Sequence, residues 1–280
     1  MSGAALYELL KCPVCGAAPA PDRATCIGCG RPIAGTDGAL DLLDDRGRQA
    51  ADRFAIQYRA LRRQEGWIGA DGLEDPAGGE PKLWRRRLAS VAQAAEILLG
   101  EARAAKRLVV ADIGSGGGWA ARYLDGADVI AIDLLERRGS NDVLQVRGDM
   151  RSLPVRDGSL DAALYVASLH YAPVGDAVRE AARTLRPGGL IVAVDSPMYE
   201  ATRAQARARA RSAAYYAEAG FPELADAYHP IDVVALREQL TRSSFDILQL
   251  DTGRAGRRWW ARWRRPSRPS VLVARLMPAQ

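Results

Sequence analysis

A run of apolar residues that ends in an aspartate and several glycines constrains the fold of this chain most strongly. Leu108 to Asp112 reads Leu-Val-Val-Ala-Asp, and Ile113-Gly-Ser-Gly-Gly-Gly118 follows it directly. Short apolar runs of this kind are typical of buried parallel strands. Glycines after such a strand let a ligand approach the backbone at the carboxyl edge of the sheet, where α/β folds bind ligands. The sequence therefore predicts an α/β fold with a ligand site at this turn.

A second acidic strand end indicates the kind of ligand. Asp133 closes the apolar run that starts at Val129 and lies 21 residues after Asp112, where a carboxylate can accept hydrogen bonds from both ribose hydroxyls. A dinucleotide site requires G-x-G-x-x-G, but the sixth position counted from Gly114 is Trp119. The pattern D-x-G-x-G-x-G suits a ligand without a pyrophosphate, which favours S-adenosylmethionine over NAD.

Three further strands are predicted downstream. The segment 143–149 reads as a strand that ends in Asp149, and Met150 follows it, so this pair suits the amino group and the ring face of adenine. A polar turn then leads into a fourth strand near 160–168, and a Gly-Gly pair precedes a fifth strand that ends at Asp195. The predicted order is βαβαβαβαβ.

These segments together strongly resemble the class I S-adenosylmethionine-dependent methyltransferases, in particular the broad type 11 group that includes ubiquinone and menaquinone biosynthesis enzymes. The resemblance runs from about Leu108 to Asp195. It implies a Rossmann-like sheet of seven strands with helices on both faces, ending in an antiparallel hairpin at 245–250 and 270–276. It also implies the cofactor-binding residues: Asp112, Gly114, Gly116 and Gly118 line the cofactor, Asp133 holds the ribose, and Asp149 with Met150 flanks adenine.

All four cysteines lie near the start of the chain, as two C-x-x-C pairs. Gly16 and Gly30 follow the pairs, where a positive φ lets the backbone turn around sulfur. Each pair can present two thiolates to one tetrahedral ion, so the spacing predicts a structural Zn²⁺ site. Its ligands are Cys12, Cys15, Cys26 and Cys29. Disulfides or a redox pair are the alternatives, and four thiolates leave no open position for catalysis by the zinc.

The residues around this cluster resemble a known module. Leu9-Leu-Lys-Cys-Pro-Val-Cys15, the second cysteine pair and Asp37-Gly-Ala-Leu-Asp-Leu-Leu43 are similar to the Trm112-type zinc ribbon. The resemblance covers residues 5–44 and implies an architectural or recognition role, because members of that family bind and activate methyltransferases.

The candidate catalytic residues follow the predicted fourth strand. His170 and Tyr171 are expected at the mouth of the pocket, where His170 either takes a proton from the methyl acceptor or only shapes the pocket. His229 is the weaker candidate. Asp195 and Tyr199 follow the fifth strand and are also expected near the acceptor. No cysteine remains for a thiol mechanism once zinc has taken four.

The sequence divides into three parts, with a zinc ribbon at 1–45, a helical linker or lid at 46–100 and a methyltransferase domain at 101–280. A helical insert is expected at about 200–240. The segment Arg254–Arg268 contains seven arginines and no acid, with Trp259 and Trp263 one helical turn apart. Such a segment suits contacts with RNA, contacts with an anionic membrane or lipid-like substrate, or simple packing with solvated arginines.

The expected function is methyl transfer from S-adenosylmethionine to an O, N or C atom of a small molecule, a lipid-like molecule or RNA. The alternative is an RNA-binding or scaffolding protein with an inactive methyltransferase fold. We expect a cytoplasmic protein, because no apolar run approaches the roughly 20 residues of a membrane span and Met1 to Lys11 lacks the pattern of a secretory signal.

Overall fold

The computed structural model describes residues 6–67, 81–100, 107–136, 143–253 and 269–278. The α-helices in these ranges are α1 (Asp45–Gln64), α2 (Pro81–Gly100), α3 (Val174–Thr184), α4 (Thr202–Glu218) and α5 (Val233–Arg242). The strands are β1 (Leu40–Asp41), β2 (Leu108–Ile113), β3 (Ala127–Asp133), β4 (Leu144–Arg147), β5 (Leu160–Val166), β6 (Leu185–Val194), β7 (Met198–Tyr199), β8 (Ile231–Asp232), β9 (Phe245–Asp251) and β10 (Val271–Leu276).

Eight strands form one sheet in the order β1-β4-β3-β2-β5-β6-β10-β9. In this order, the first six strands, β1 through β6, are parallel to one another. Strand β10 is antiparallel to both β6 and β9. Seven of the eight are the strands predicted from the sequence, including the terminal hairpin. The Rossmann-like α/β fold is therefore confirmed, and the cysteine-bearing region adds β1 as one further strand at the edge.

Two apolar clusters lie on the two faces of the sheet. On one face, α2 packs its predicted helical stripe against the sheet, with Trp84, Val91 and Leu98 buried. On the other face, α3 and α5 share a cluster with the sheet that also takes in Leu10 and Ile33 from the N-terminal region. Burial of this apolar surface is the main favourable contribution to folding. The cysteine-bearing region thus shares the core of the larger domain, and the predicted boundary at residue 45 stays a prediction.

The N-terminal region is held to the sheet by backbone hydrogen bonds. Strand β1 runs parallel to β4 with Leu40 beside Val146. Lys11 N donates to Pro154 O at 3.0 Å, and Arg156 N donates to Leu9 O at 2.8 Å. The pairing with β1 covers the β4 edge of the sheet, which would otherwise present unpaired backbone groups.

The connection after β2 differs from the predicted helix. It is a 3-10 helix at Trp119–Tyr123, preceded by Gly118 with a φ of 71° and followed by Gly126 with a φ of 98°. Glycine weakens helices, and these two residues in left-handed conformation limit helical backbone to the stretch between them. The glycine turn and the short helix thus stay close to the carboxyl edge of the sheet.

The predicted insert at about 200–240 contains α4, a 3-10 helix at Pro222–Ala227 and the start of α5. Together with α1 it forms a separate small cluster around Leu61, Tyr216 and Leu224. The basic segment Arg254–Arg268 lies outside the described residues. Among the helices that the structure does describe, none is long and apolar enough to cross a membrane.

Candidate functional site

A cavity of about 930 Å³, including its open mouth, lies at the carboxyl ends of β2, β3 and β5. The floor is the glycine turn after β2, and the roof comes from α1, α2 and the insert. The lining residues used below are Phe54, Tyr58, Arg87, Asp112, Gly114, Gly116, Trp119, Asp133, Met150, Ser168 and Tyr171.

The glycine turn is possible only because its residues lack side chains. Gly114 has a φ of 71°, and a Cβ built there would lie 2.5 Å from the Cβ of Ser168. Gly116 and Gly118 also have positive φ. Gly114 and Gly116 line the cavity, whereas Gly118 lies behind the turn, near Gln145. The turn therefore exposes backbone to the cavity at two of the three predicted positions.

Asp112 is fully buried at the end of β2, and neither carboxylate oxygen has a hydrogen-bond partner within the described part of the chain. Burial, with a smaller contribution from the nearby Asp133, raises the pKa of Asp112 to about 7. Buried polar groups without partners are rare in native proteins and call for an explanation. A cationic donor bound in the cavity would supply the missing partner and favour the ionised carboxylate.

Asp133 lies at the end of β3 and reaches the same cavity. Its Oδ2 accepts from Gly116 N and its Oδ1 from Leu135 N, each at 2.8 Å. The backbone thus holds the carboxylate in place at the cavity, where its oxygens are of the acceptor type that ligand hydroxyls require.

Asp149 and Met150, the pair predicted to flank adenine, differ in whether they line the cavity. Met150 lines the cavity. The carboxylate of Asp149 forms a bidentate ion pair with Arg151, at 2.6 Å to Nη2, and is not among the lining groups. Met150 can therefore pack against a ligand directly, and the role of Asp149 in binding adenine stays a prediction.

The predicted catalytic pair is also divided. Tyr171 lines the cavity, and its hydroxyl accepts from Nη2 of Arg62 at 3.2 Å. His170 lies against the Tyr171 ring, with 4.5 Å between ring centroids, and is not a lining residue. Burial, followed by the positive charges of Arg87 and Arg62, lowers the pKa of His170 to about 3. A neutral imidazole of such low basicity is a poor proton acceptor, so this geometry does not favour His170 as a general base.

Several lining residues were not predicted as site residues, and four of them carry large side chains. Phe54 and Tyr58 are stacked at 5.3 Å on α1, Trp119 follows the glycine turn, and Arg87 comes from α2. The only signal for the first two was their spacing on one face of a helix. That spacing predicts burial, but it does not say whether the partner is the protein or a ligand.

The four cysteine sulfurs lie within 4.8 Å of one another. The Cys12 and Cys29 sulfurs are 3.8 Å apart, and those of Cys15 and Cys26 are 3.4 Å apart. A disulfide requires about 2.05 Å, whereas a tetrahedral zinc with bonds of about 2.3 Å separates its sulfurs by about 3.8 Å. Gly16 and Gly30 adopt the expected positive φ after each pair. The arrangement suits one zinc ion better than two disulfides.

Comparisons with known proteins match the part of the chain that forms the floor of the cavity. Residues 111–193 match the protein family described as "Methyltransferase domain". The malonyl-[acyl-carrier protein] O-methyltransferase of Dechloromonas aromatica is 38% identical over 88 residues, which are 29% of this chain and 33% of that protein. The chain thus matches about a third of the length of this relative.

Solved structures share the fold at low identity. A geranyl diphosphate methyltransferase, solved with GPP and sinefungin, superposes with a TM-score of 0.52 at 16% identity, covering 83% of this chain and 100% of that one. YcgJ from Bacillus subtilis superposes with a TM-score of 0.51 at 16% identity, covering 69% and 100%. At these identities the two structures show that the chain shares their α/β fold, and residues 111–193 are the part that matches a methyltransferase domain.

Proposed function

We propose that the protein as a whole is an S-adenosylmethionine-dependent methyltransferase that acts on a small molecule. The observation that carries this proposal is Asp112, a buried carboxylate that finds no partner among the described residues, at the floor of a cavity that Asp133 also lines. A ligand with a cationic amino-acid part and a ribose would give Asp112 a partner and would place hydroxyl donors beside Asp133. S-adenosylmethionine is such a ligand.

In this proposal each of three residues binds a different part of the cofactor. Asp112 accepts from the cationic amino-acid part, Asp133 accepts from the ribose hydroxyls, and Met150 packs against the adenine ring. When bound, S-adenosylmethionine supplies a methyl group on a positively charged sulfur, which is already activated toward a nucleophile. The acceptor atom forms the new bond to carbon, the sulfur keeps the electron pair of the broken bond, and the acceptor proton leaves to solvent.

The protein contributes mainly position and the exclusion of water. Phe54 and Tyr58 cover the cavity from α1, and Trp119 walls it beside the glycine turn. Because Arg62 donates to the oxygen of Tyr171, the Tyr171 hydroxyl proton can be donated to an acceptor molecule in the cavity. The roof of helices favours a small acceptor over a nucleic acid strand. The RNA alternative depends on Arg254–Arg268, outside the described residues.

We further propose that the cysteine-bearing region is a zinc ribbon of the Trm112 type that supports the cofactor site within the same chain. Its Thr36 donates through N and Oγ1 to the carboxylate of Glu136, which lies three residues after Asp133. Its Asp41 accepts from the buried Arg147 of β4 at 3.3 Å. Both contacts tie the ribbon to the segment that presents Asp133.

The test is calorimetric binding of S-adenosylhomocysteine, the reaction product. Asp133→Ala removes two acceptors, so we expect affinity to fall at least 100-fold, because hydrogen bonds to a charged group contribute about 1.5–3 kcal/mol each. Asp133→Asn, which keeps one acceptor, should give an intermediate loss. Asp125→Ala alters an exposed aspartate outside the cavity and is the matched control. Unchanged affinity in Asp133→Ala would remove the basis of the proposal.

A further inference from the structure

One charged group of the cavity has no role in the binding scheme above. Arg87 of α2 lines the cavity, and its Nε is buried without a hydrogen-bond partner. In the part of the chain that the structure describes, it forms no ion pair with a carboxylate. A guanidinium carries five donors and is charged at every physiological pH. An unpaired guanidinium in a ligand cavity is a site for an anion.

Two indole rings fix the position of this guanidinium. Its central carbon lies 4.9 Å from the ring centroid of Trp67 and 5.3 Å from that of Trp84. Trp84 is buried and meets Trp119 edge-on at 5.5 Å. Cation–π contacts satisfy the faces of the guanidinium and leave its in-plane N–H donors for a ligand. Arg87 is therefore oriented before any ligand binds.

The neighbouring arginines are different, because each already has an anionic partner. Arg62 is buried, pairs with Glu65 and covers the Tyr58 ring at 4.7 Å. Arg86 pairs with Asp195 at the end of β6. Both serve internal structure. Among these three arginines, Arg87 is the one that lines the cavity and pairs with no carboxylate of the described residues.

Arg87 lies on the acceptor side of the cavity. Its charge acts on His170, beyond the end of β5, where it contributes to the lowered pKa of that residue. Arg87 enters the cavity from the roof helix α2, whereas Asp112 and Asp133 line it at the ends of β2 and β3. Phe54 and Tyr58 form an aromatic wall on the roof of the same cavity. The acceptor side thus combines one cation with aromatic surface.

We infer that Arg87 binds an anionic group of the methyl acceptor, and that the acceptor is a small molecule with a carboxylate or phosphate on an aromatic or otherwise apolar body. The bidentate geometry of a guanidinium suits both anions. The apolar body packs against Phe54 and Tyr58 and places the nucleophile toward the cofactor. The inference rests on the proposed function, because the acceptor side is defined by where the cofactor binds.

The test uses small probes on protein saturated with S-adenosylhomocysteine. Benzoate and phenyl phosphate carry the two anions, and benzamide is the neutral analogue. We expect calorimetric or ligand-observed NMR titration to show at least one anion binding about ten-fold more tightly than benzamide, the effect of one charge-assisted contact. Whichever anion binds more tightly identifies the group. Arg87→Gln should abolish the difference, Arg87→Lys should restore part of it, and the exposed Arg85→Gln should leave it unchanged.

Three outcomes would overturn the inference. In the first, neither anion binds the wild-type protein better than benzamide. In the second, Arg87→Gln keeps the preference. In the third, Arg87→Gln weakens S-adenosylhomocysteine about ten-fold with the probe preference intact, which would make Arg87 a partner of the cofactor carboxylate. Failure of the wild-type protein to bind S-adenosylhomocysteine would instead refute the proposed function itself, so the two failures are distinguishable.

Discussion

Replacing Asp112 with asparagine should stabilise the ligand-free protein at pH 8 and weaken cofactor binding. The pKa of Asp112 in the folded protein, about 7, exceeds the ordinary value of 3.8. The folded state therefore binds this proton more tightly than the unfolded state, and stability falls as pH rises from 4 to 7. At about 1.4 kcal/mol for each pH unit, the ionised carboxylate costs about 4 kcal/mol above pH 7.

Asparagine removes the buried charge but leaves a buried amide whose own unsatisfied groups cost about 1–3 kcal/mol. The expected net gain for Asp112→Asn at pH 8 is therefore about 1–3 kcal/mol, or about 3–8 °C in melting temperature for a chain of this size. At pH 5 the wild-type carboxyl is protonated and equally neutral, so the gain should vanish. Asp125→Asn, at an exposed position, should change neither value.

The measurement is thermal unfolding of ligand-free protein at pH 5 and pH 8, paired with calorimetric titration of S-adenosylhomocysteine. The wild-type affinity should rise between pH 6 and pH 8 as Asp112 ionises, and Asp112→Asn should lose both this rise and about 10- to 100-fold in affinity at pH 8. A variant that is less stable at pH 8, or a gain of equal size at pH 5, would refute the argument from buried charge. Undiminished affinity would refute the role of Asp112 in binding.

Three further predictions concern the turn, the histidine and the metal. Gly114→Ala forces a side chain against Ser168 and should abolish S-adenosylhomocysteine binding in calorimetry, whereas Gly117→Ala, where a Cβ meets nothing within 4 Å, should keep it within about two-fold. His170 should stay neutral from pH 5 to pH 8 in long-range ¹H–¹⁵N NMR spectra, and an imidazolium at pH 6 would contradict its burial. Elemental analysis should find one zinc per chain. Cys12→Ser or chelation should lower both the melting temperature and the affinity for S-adenosylhomocysteine. A metal-free protein of full affinity would exclude the supporting role of the cysteine-bearing region.

The sequence predicted the sheet and the floor of the cavity because their signals are local. A buried parallel strand shows as a short apolar run, and the turns after β2 and β3 carry their acids and glycines within a few residues. Asp112, Gly114 and Asp133 could be found for this reason. Strand β1 could not, because two residues carry no periodicity and their pairing with β4 joins segments about a hundred residues apart.

The direction of individual side chains is the second feature that could not be predicted from the sequence. The sequence places Asp149 beside Met150 and His170 beside Tyr171, and in each pair the cavity takes only the second residue. Asp149 pairs instead with Arg151, a contact that the sequence permits but does not require. Neighbouring residues point in different directions, and only the packed structure decides which of them reaches a ligand.

The three consecutive arginines of α2 show how the helix itself resolves such a choice. Successive residues of an α-helix are about 100° apart, so Arg85, Arg86 and Arg87 face three directions. Arg85 points to solvent, Arg86 pairs with Asp195, and Arg87 enters the cavity. The sequence shows only a basic run, which by itself is typical of a solvated face. An unpaired cation can be recognised only when the partners of its neighbours are known.

The cysteine-bearing region leads directly into the roof of the cavity. Strand β1 ends at Asp41, and three residues later the Asp44 carboxylate caps α1 by accepting from Gly47 N at 2.6 Å. An N-cap of this kind fixes where a helix begins, and α1 then carries Phe54 and Tyr58 over the cavity. Because β1 is paired with the sheet and the cap follows it directly, the start of the roof helix is set by the cysteine-bearing region. Removing the metal should therefore disturb the acceptor side of the cavity as well as Asp133. A zinc-free protein should bind S-adenosylhomocysteine more weakly, and it should also lose the preference for benzoate or phenyl phosphate over benzamide.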